Sequence, residues 1–436
     1  MKCSQYNIST ELEDKKILLF NTFTTSMVVL EQETYESIFL NKDLFNENIK
    51  PLFDMGFLVE DNRDEYLAIR DIRDGLINND SSELKHVTIL LTTACNARCF
   101  YCFEKGIKIF TLTYELCDKV VEFIYNNSNK KEINIWWFGG EPLLAFDKLK
   151  YINDKLKSIG LDITSKITTN GSLINDEMID YAVNNNIRSF QITIDDIGEK
   201  YNSIKNYVSI KNGYELVLDN IKKLLSTKIT VCIRINYKIE QFEYAKGIFE
   251  TLQSILGNHD NLYIYLAALT LHNQEKPSEQ GMEHPQLKLL RFSAKLDKKI
   301  KTWKDNNISQ QGNKLLSSYY LNPIGLACGM EKKDRIIINA DGKLYKCHRL
   351  AGREGYSCGD VYNGVDASSE EFLRFSTPEI LIEKCKTCAL LPLCHGNCKS
   401  NRVLYPECDN CSHIKDFIHD IIKVYYNEAS LDNVKS

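Results

Sequence analysis

Residues 87–102 read VTILLTTACNARCFYC, an apolar run that passes directly into a loop bearing three thiols. Residues 87–92 have the length and composition of a strand. Cys95, Cys99 and Cys102 follow it at x3 and x2 spacing. Three thiolates so placed hold three corners of a cubane iron–sulfur cluster and leave the fourth iron open to a non-protein ligand. Structural zinc is the competing reading, but it wants four ligands, and no His or further Cys lies close enough to complete the set locally.

Working outward, the same pattern recurs. Strands are expected at 87–92, 133–138 (INIWWF), 165–169 (SKITT), 189–194 (SFQITI), 229–236 (ITVCIRIN) and 262–266 (LYIYL). The intervening segments, such as YELCDKVVEFIYNN and GYELVLDNIKKLLS, have helical periodicity. Strands alternating with amphipathic helices give βαβ units and a parallel sheet. Such a sheet puts its chemistry at the carboxyl ends of its strands. The thiol loop follows the first strand, Gly139-Gly140-Glu141-Pro142 the second and Asn170-Gly171 the third. The fourth ends in Thr193-Ile194-Asp195-Asp196, the fifth carries Arg234 and Asn236, and the sixth carries Tyr265. One end of the sheet is therefore expected to be a site.

Composition narrows the class. The chain has 436 residues, 43% hydrophobic and 26% charged, which is globular and long enough for roughly two to four domains. The 54 Lys+Arg against 59 Asp+Glu leave a formal charge of -5, against a phosphate-backbone binder. No apolar run approaches the roughly 18 residues of a membrane span. The opening MKCSQYNIST lacks a secretory pattern, so a cytoplasmic location is expected. In a reducing compartment, 15 cysteines that cluster read as metal ligands rather than disulfides. Cys3, Cys117 and Cys232 stand apart and read as small buried hydrophobes.

Three regions are expected: 1–80, 84–310 and 311–436. In the first, KILLF (16–20) and SMVVL (26–30) read as a hairpin, 33–40 and 43–55 as helices stopped by Gly56, and FLVE as a closing strand. That order suggests a winged-helix-like module, ended by the linker Asn78–Ser82. Residues 267 to about 325 are polar with a helical pattern, 326 to about 415 are Cys-rich with short β elements such as RIIIN and KLYKC, and 413–428 read as one amphipathic helix.

Cys95, Cys99 and Cys102, followed by Gly139-Gly140-Glu141 and the later strand-end motifs, resemble the radical S-adenosylmethionine (SAM) enzymes across residues 87–266. The resemblance implies a partial (β/α)6 barrel, a [4Fe-4S] cluster whose open iron chelates SAM, and reductive cleavage to a 5′-deoxyadenosyl radical. It implies close backbone approach at Gly139 and Gly140, a hydrogen bond from the SAM amino group to Glu141, and the SAM carboxylate on Arg234. Tyr101, Asn170, Thr193 and Asp195 become further cofactor contacts. Relatives often read Ser-x-Asp-Gly where this chain has Thr193-Ile194-Asp195-Asp196, which keeps the hydroxyl and alters the turn. For Arg234 and Asp195, an ordinary strand-end salt bridge is the plainer reading.

The later cysteines resemble the SPASM domain, which carries two auxiliary [4Fe-4S] clusters and brings the total to three. Cys328, Cys347 and Cys398 would serve one; Cys385, Cys388, Cys394 and Cys411 the other, with Cys408 the alternative to Cys411. Either Cys358 completes the first auxiliary set or one iron is open to a substrate thiolate. Paired zinc ribbons are the plainer alternative. His348 and His395, beside these cysteines, read as neighbours rather than ligands.

The N-terminal module resembles the peptide-recognition domain of maturases that act on ribosomally made peptides. Such domains bind a leader as an added strand, here along Met27, Val28, Val29 and Leu30, with the helix around 43–55 lining the groove. A winged helix also suits DNA, but residues 1–65 hold 5 Lys and 1 Arg against 13 Asp+Glu. The expected function is therefore peptide maturation with cross-link formation, thioether first and carbon–carbon next. Sulfatase maturation and a non-catalytic electron carrier or scaffold are the rivals. The expected partners are a precursor peptide and a one-electron reductant, flavodoxin or ferredoxin, with neither nucleic acid nor membrane. The sequence singles out no general base. Anaerobic reconstitution is expected to load about twelve irons per chain, falling to about eight in a Cys95→Ala/Cys99→Ala/Cys102→Ala variant. Iron and sulfide analysis checks this, and zinc in place of iron would contradict it.

Overall fold

The structure, a computed structural model, describes residues 1–42, 49–78, 83–269, 325–380, 382–406, 411 and 414–433. The helix expected from 43 onward lies partly outside these residues; most of the 78–82 linker, the 270–324 stretch and Cys408 also fall outside. The chain forms two compact units, neither contiguous in sequence. The first joins Met1–Asn79, Lys276–Cys328 and Thr377–Ser436; the second joins Asp80–Glu275 and Gly329–Ser376.

In the first unit, β1 (Lys2–Cys3), β2 (Asn7–Glu11), β3 (Lys16–Asn21) and β4 (Met27–Glu31) precede two short helical turns at Gln32–Leu40. A helix at Ile49–Asp54, β5 (Leu58–Val59) and α1 (Glu65–Asn78) follow. The sheet order is β2-β3-β4, all antiparallel, while β5 pairs with β1 in a separate ladder. The hairpin and closing strand match the sequence reading; β1 and β2 were not expected, and the closing strand pairs with β1 rather than with the hairpin. Gly56 ends its helix at φ +83°, a value that costs glycine no Cβ clash.

After exposed Lys16, the run ILLF (17–20) is apolar throughout because both faces of β3 are covered. Leu18 and Phe20 pack with Ile414, Ile418, Ile421 and Ile422 of the C-terminal helix Ile414–Asn433. Leu19, pointing the other way, packs with Ile38, Ile49, Leu52, Phe57 and Leu58. Buried Asn21 secures the turn: its Oδ1 accepts from Phe23 and Thr24 amides, and its Nδ2 reaches Asn7 Oδ1 at 2.8 Å and the Gly56 carbonyl at 3.0 Å.

The second unit holds the six expected strands as β6 (His86–Thr92), β7 (Glu132–Gly139), β8 (Asp162–Thr169), β9 (Ile187–Thr193), β10 (Thr230–Lys238) and β11 (Leu262–Leu269). They pair in parallel and in sequence order. The run RIII, expected only as a local element of the Cys-rich region, is β12 (Arg335–Ile338), which adds to the sheet parallel to β6. β13 (Leu344–Tyr345) returns antiparallel to it. The crossovers are α2 (Tyr114–Asn127), α3 (Phe146–Ser158), α4 (Asp176–Asn184), α5 (Gly198–Lys205), α6 (Gly213–Leu225) and α7 (Phe242–Leu256). Side chains of Thr113 and Asn175 cap α2 and α4 by accepting from the Leu116 and Met178 amides. Ile133, Ile135 and Trp137 of β7 are buried, and Asn134, Trp136 and Phe138 take the opposite face. No described helix is long and apolar enough to cross a membrane.

Ile421 is fully buried against β2 and β3, so Ile421→Ala is expected to cost about 2–5 kcal/mol. Exposed Asp420→Ala on the same helix should stay within about 0.5 kcal/mol. Urea unfolding of the two variants checks the difference.

Candidate active site

The carboxyl ends of β6 to β10 bring most of the residues singled out above into one neighbourhood. β6 ends at Thr92, whose hydroxyl donates to the Phe110 carbonyl at 2.9 Å and closes the base of the thiol loop. The end of β7 fits against this turn. The Gly140 amide donates to the Thr92 carbonyl at 2.9 Å and the Glu141 amide to the Ala94 carbonyl at 2.8 Å. Gly139 has φ +133°, and a Cβ there would meet the Thr92 oxygen at 2.2 Å; at Gly140 it would meet the Ala94 oxygen at 2.3 Å. These two glycines thus admit the backbone of the thiol loop.

Glu141 is fully buried and ties three segments. Its Oε1 accepts from Thr169 Oγ1 at 2.7 Å and the Leu143 amide at 3.1 Å, and its Oε2 from the Asn170 amide at 2.7 Å. Burial pushes its carboxyl up to about 7 while these donors pull it back. A carboxylate accepts about four hydrogen bonds, so these three donors leave one acceptor position of Glu141 unused. Asn170 faces the thiol loop: its Nδ2 donates to Asn96 Oδ1 at 2.8 Å and its Oδ1 accepts from Ser172.

Asp195 follows β9 and makes the salt bridge of the plainer reading, with Lys205 rather than Arg234. Lys205 Nζ lies 2.9 Å from Asp195 Oδ2, and both side chains are 2% exposed. Tyr101, between the second and third thiols, donates to Asp195 Oδ2 at 2.5 Å, and Lys205 Nζ reaches the same hydroxyl at 3.2 Å. The Lys205 carbonyl accepts from the Arg98 amide at 2.8 Å, so α5 anchors both halves of the loop. The charge of Asp195 and its neighbours holds the ammonium of Lys205 well above its usual range against burial. Nothing in the sequence marked Lys205, one basic residue on an ordinary helix. Arg234 lies beside Thr193 and Tyr265 in register, and its Nε donates to Asn236 Oδ1 at 2.8 Å.

Cys95, Cys99 and Cys102 share one loop, and the other two thiols act electrostatically on Cys95. Burial pushes Cys95 up to about 11, so its thiolate would form as metal binds. Among the described residues no three His, Cys, Asp or Glu side chains are gathered as around a single ion.

In the first unit, Cys385 is within electrostatic reach of Cys388 and Cys411. Cys394 ends a short helical turn and Cys398 Sγ lies 3.1 Å from Ser400 Oγ. Cys328 belongs to the same unit, Cys347 and Cys358 to the second. Cys358 is fully buried, and its thiol is pushed up to about 12 by burial. Of the isolated cysteines, Cys117 is buried in α2, whereas Cys232 lies on the inner face of β10.

Residues 89–246 match the sequence model of the radical SAM superfamily, so the second unit carries a radical SAM domain. That family implies SAM and a [4Fe-4S] cluster, and the thiol loop fits the latter. The radical SAM cyclopropyl synthase TigE of Paramaledivibacter caminithermalis is 25% identical over 264 residues, half of this chain. The chain spans 56% of that protein's length. The solved structure of native anSMEcpe with bound AdoMet is 17% identical at a TM-score of 0.61, covering 80% of this chain and all of that one. The crystal structure of Streptococcus suis SuiB bound to precursor peptide SuiA is 14% identical at a TM-score of 0.53, covering 94% of this chain and 99% of that one. At these identities the structural likeness is one of fold.

Lys205→Met would leave the Asp195 carboxylate buried beside no counter-charge. A loss of about 3–5 kcal/mol is expected in chemical unfolding. Adding Asp195→Asn to Lys205→Met should recover part of that loss, and an additive double variant would contradict the pairing.

Proposed function

We propose that this chain is a radical SAM maturase of a ribosomally made precursor peptide, which it holds by pairing the leader to β4 as a fourth strand. The observation that carries this reading is the open edge of β4. Among the described residues its one ladder partner is β3. The Asn21 amide donates to the Ser26 carbonyl and the Gln32 amide to the Lys15 carbonyl, which fixes the alternation along the ladder. Val28 and Leu30 therefore turn their backbone groups toward β3, and Met27, Val29 and Glu31 turn theirs outward. Both faces of β4 are packed, Met27 and Val29 against the C-terminal helix cluster and Val28 and Leu30 against the Ile38–Leu58 cluster. An edge so held, with free amides at every second residue, suits strand addition. The fold likeness to SuiB, whose structure contains its precursor peptide, supports the same reading.

Cys95, Cys99 and Cys102 would hold the cluster, and Arg234, Thr193 and the remaining acceptor of Glu141 would meet SAM. Bound there, the pair supplies a hydrogen-abstracting 5′-deoxyadenosyl radical. Tyr101, fixed by Asp195 and Lys205, stiffens the loop between its second and third thiols. Cys385, Cys388, Cys394 and Cys411 would hold an auxiliary cluster, one of two on the later cysteines. A flavodoxin or ferredoxin would deliver the electron. The bond formed is taken as a thioether to a substrate Cys, with a carbon–carbon cross-link as the second product class.

Val29→Pro removes one outward amide and leaves the β3–β4 bonds intact. It is expected to weaken the binding of leader peptides encoded by short reading frames beside the gene at least about tenfold, roughly 1.4 kcal/mol, while Val29→Ala binds nearly as wild type. Fluorescence anisotropy of labelled leaders decides it, and equal affinity for Val29→Pro would sink the reading.

A further inference from the structure

The inner face of the second unit's sheet carries a group of side chains that the reading above leaves unused. Trp136 and Phe138 of β7 project there, opposite the face covered by the helices. Lys166 of β8 stands in register with Trp136 and lays Nζ 3.9 Å over its indole ring. The indole is fixed in turn, its Nε1 donating to Thr168 Oγ1 at 2.8 Å. His348 packs on both rings, with centroids 4.9 Å from Trp136 and 5.2 Å from Phe138. Its Nε2 is buried and has no hydrogen-bond partner. Phe103, the residue after Cys102, stacks on Phe138 at 6.4 Å and 13°. The group is therefore continuous with the thiol loop.

Two features of this group suit an anion. Among the described residues, the charged groups acting on Lys166 are Cys232 and Arg335, neither of them a carboxylate. Lys166 is exposed to solvent on this face, and partial desolvation there lowers its ammonium from the usual range. His348 Nε2 is buried with no hydrogen bond among the described residues, a state that native interiors rarely tolerate. A single anionic acceptor lying over the Trp136 edge would answer both, since a carboxylate takes a charge-assisted bond from an ammonium and a second bond from an imidazole N–H.

We propose that Lys166 and His348 form a carboxylate-recognition site on the inner face of the barrel, so that the substrate segment presented to the thiol loop carries a carboxylate. Its source is an Asp or Glu side chain or the peptide's own C-terminus. This deepens, and rests on, the peptide-substrate reading. Lys166 would be a specificity residue: it fixes which side chain enters beside the one that reacts.

The test uses the full chain labelled with 5-fluorotryptophan, in which the Trp136 resonance is identified by its loss in Trp136→Phe. Three probes are titrated: acetyl-Gly-Glu-Gly-amide, acetyl-Gly-Gln-Gly-amide and acetyl-Gly-Gln-Gly with a free terminal carboxylate. A saturable shift of the Trp136 signal is expected with the first or the third probe and at least a tenfold weaker response with the second. Whichever carboxylate probe responds names the source. The shift should vanish in Lys166→Met and persist in Lys166→Arg. Equal response to the uncharged probe, no response to either carboxylate probe, persistence in Lys166→Met or loss in Lys166→Arg would each overturn the proposal. Reductive SAM cleavage by reconstituted wild type is measured separately. Its absence would sink the radical reading and leave the binding result standing, and its presence with failed shifts would sink only the carboxylate site.

Discussion

The contact on which the rest of the site depends is between two pieces of backbone. The turn after β7 lies so close to the turn after β6 that neither Gly139 nor Gly140 has space for a Cβ. Two amide-to-carbonyl bonds then lock the strand ends together. Because Thr92 and Ala94 supply those carbonyls, the path of the chain into Cys95 is set before any metal binds. Glycine's lost backbone entropy is the cost of this fit. It is offset by a loop whose first thiol enters from a rigid strand end rather than from a mobile tether.

From that junction, rigidity spreads by buried polar groups. Glu141 joins the ends of β7 and β8, Asn170 joins β8 to the loop, and Asp195 with Lys205 joins β9 and α5 to Tyr101. Glu141, Asp195 and Lys205 are buried and bonded to partners on other segments, which is the condition under which such networks specify one geometry rather than merely costing energy. The loop is thus held at both ends and in the middle. A site that must accept a cluster without rearranging benefits from this order in advance.

Much of this was legible because a parallel sheet writes itself plainly. INIWWF and ITVCIRIN are apolar and β-branched, bounded by turn residues, and the strand-end rule then points to the loops that matter. β1 and β2 escaped because MKCSQYNISTE offers few apolar residues, and those strands gain their stability from partners far along the chain. RIII was seen as a strand but not as a member of this sheet, since nothing in the chain states which edge a separated strand will join. Gly139 and Gly140 stand out in sequence as a point of close approach, and the backbone of Thr92 and Ala94 is what packs against them here. Lys205, Lys166 and Trp136 look like any exposed lysines and any core aromatic in sequence. Lys205 takes its meaning from burial, and Lys166 and Trp136 from register, both of which appear only when the sheet is assembled.

The shared core of β3 and the C-terminal helix has a consequence for biosynthesis. Leu18 and Phe20 are buried by Ile418, Ile421 and Ile422, and Thr10 meets His419 across 409 positions of chain. Contacts of such separation form late and slowly, because a long loop must close before they repay it. The sheet with the proposed leader-binding edge therefore leaves the ribosome well before the helix that completes it. Until residue 422 emerges, the apolar face of β3 stands open to water and to other chains. The second unit can complete its own parallel sheet, from His86 to Tyr345, in that interval. The proposed peptide recognition would then switch on only in chains already made past Cys411.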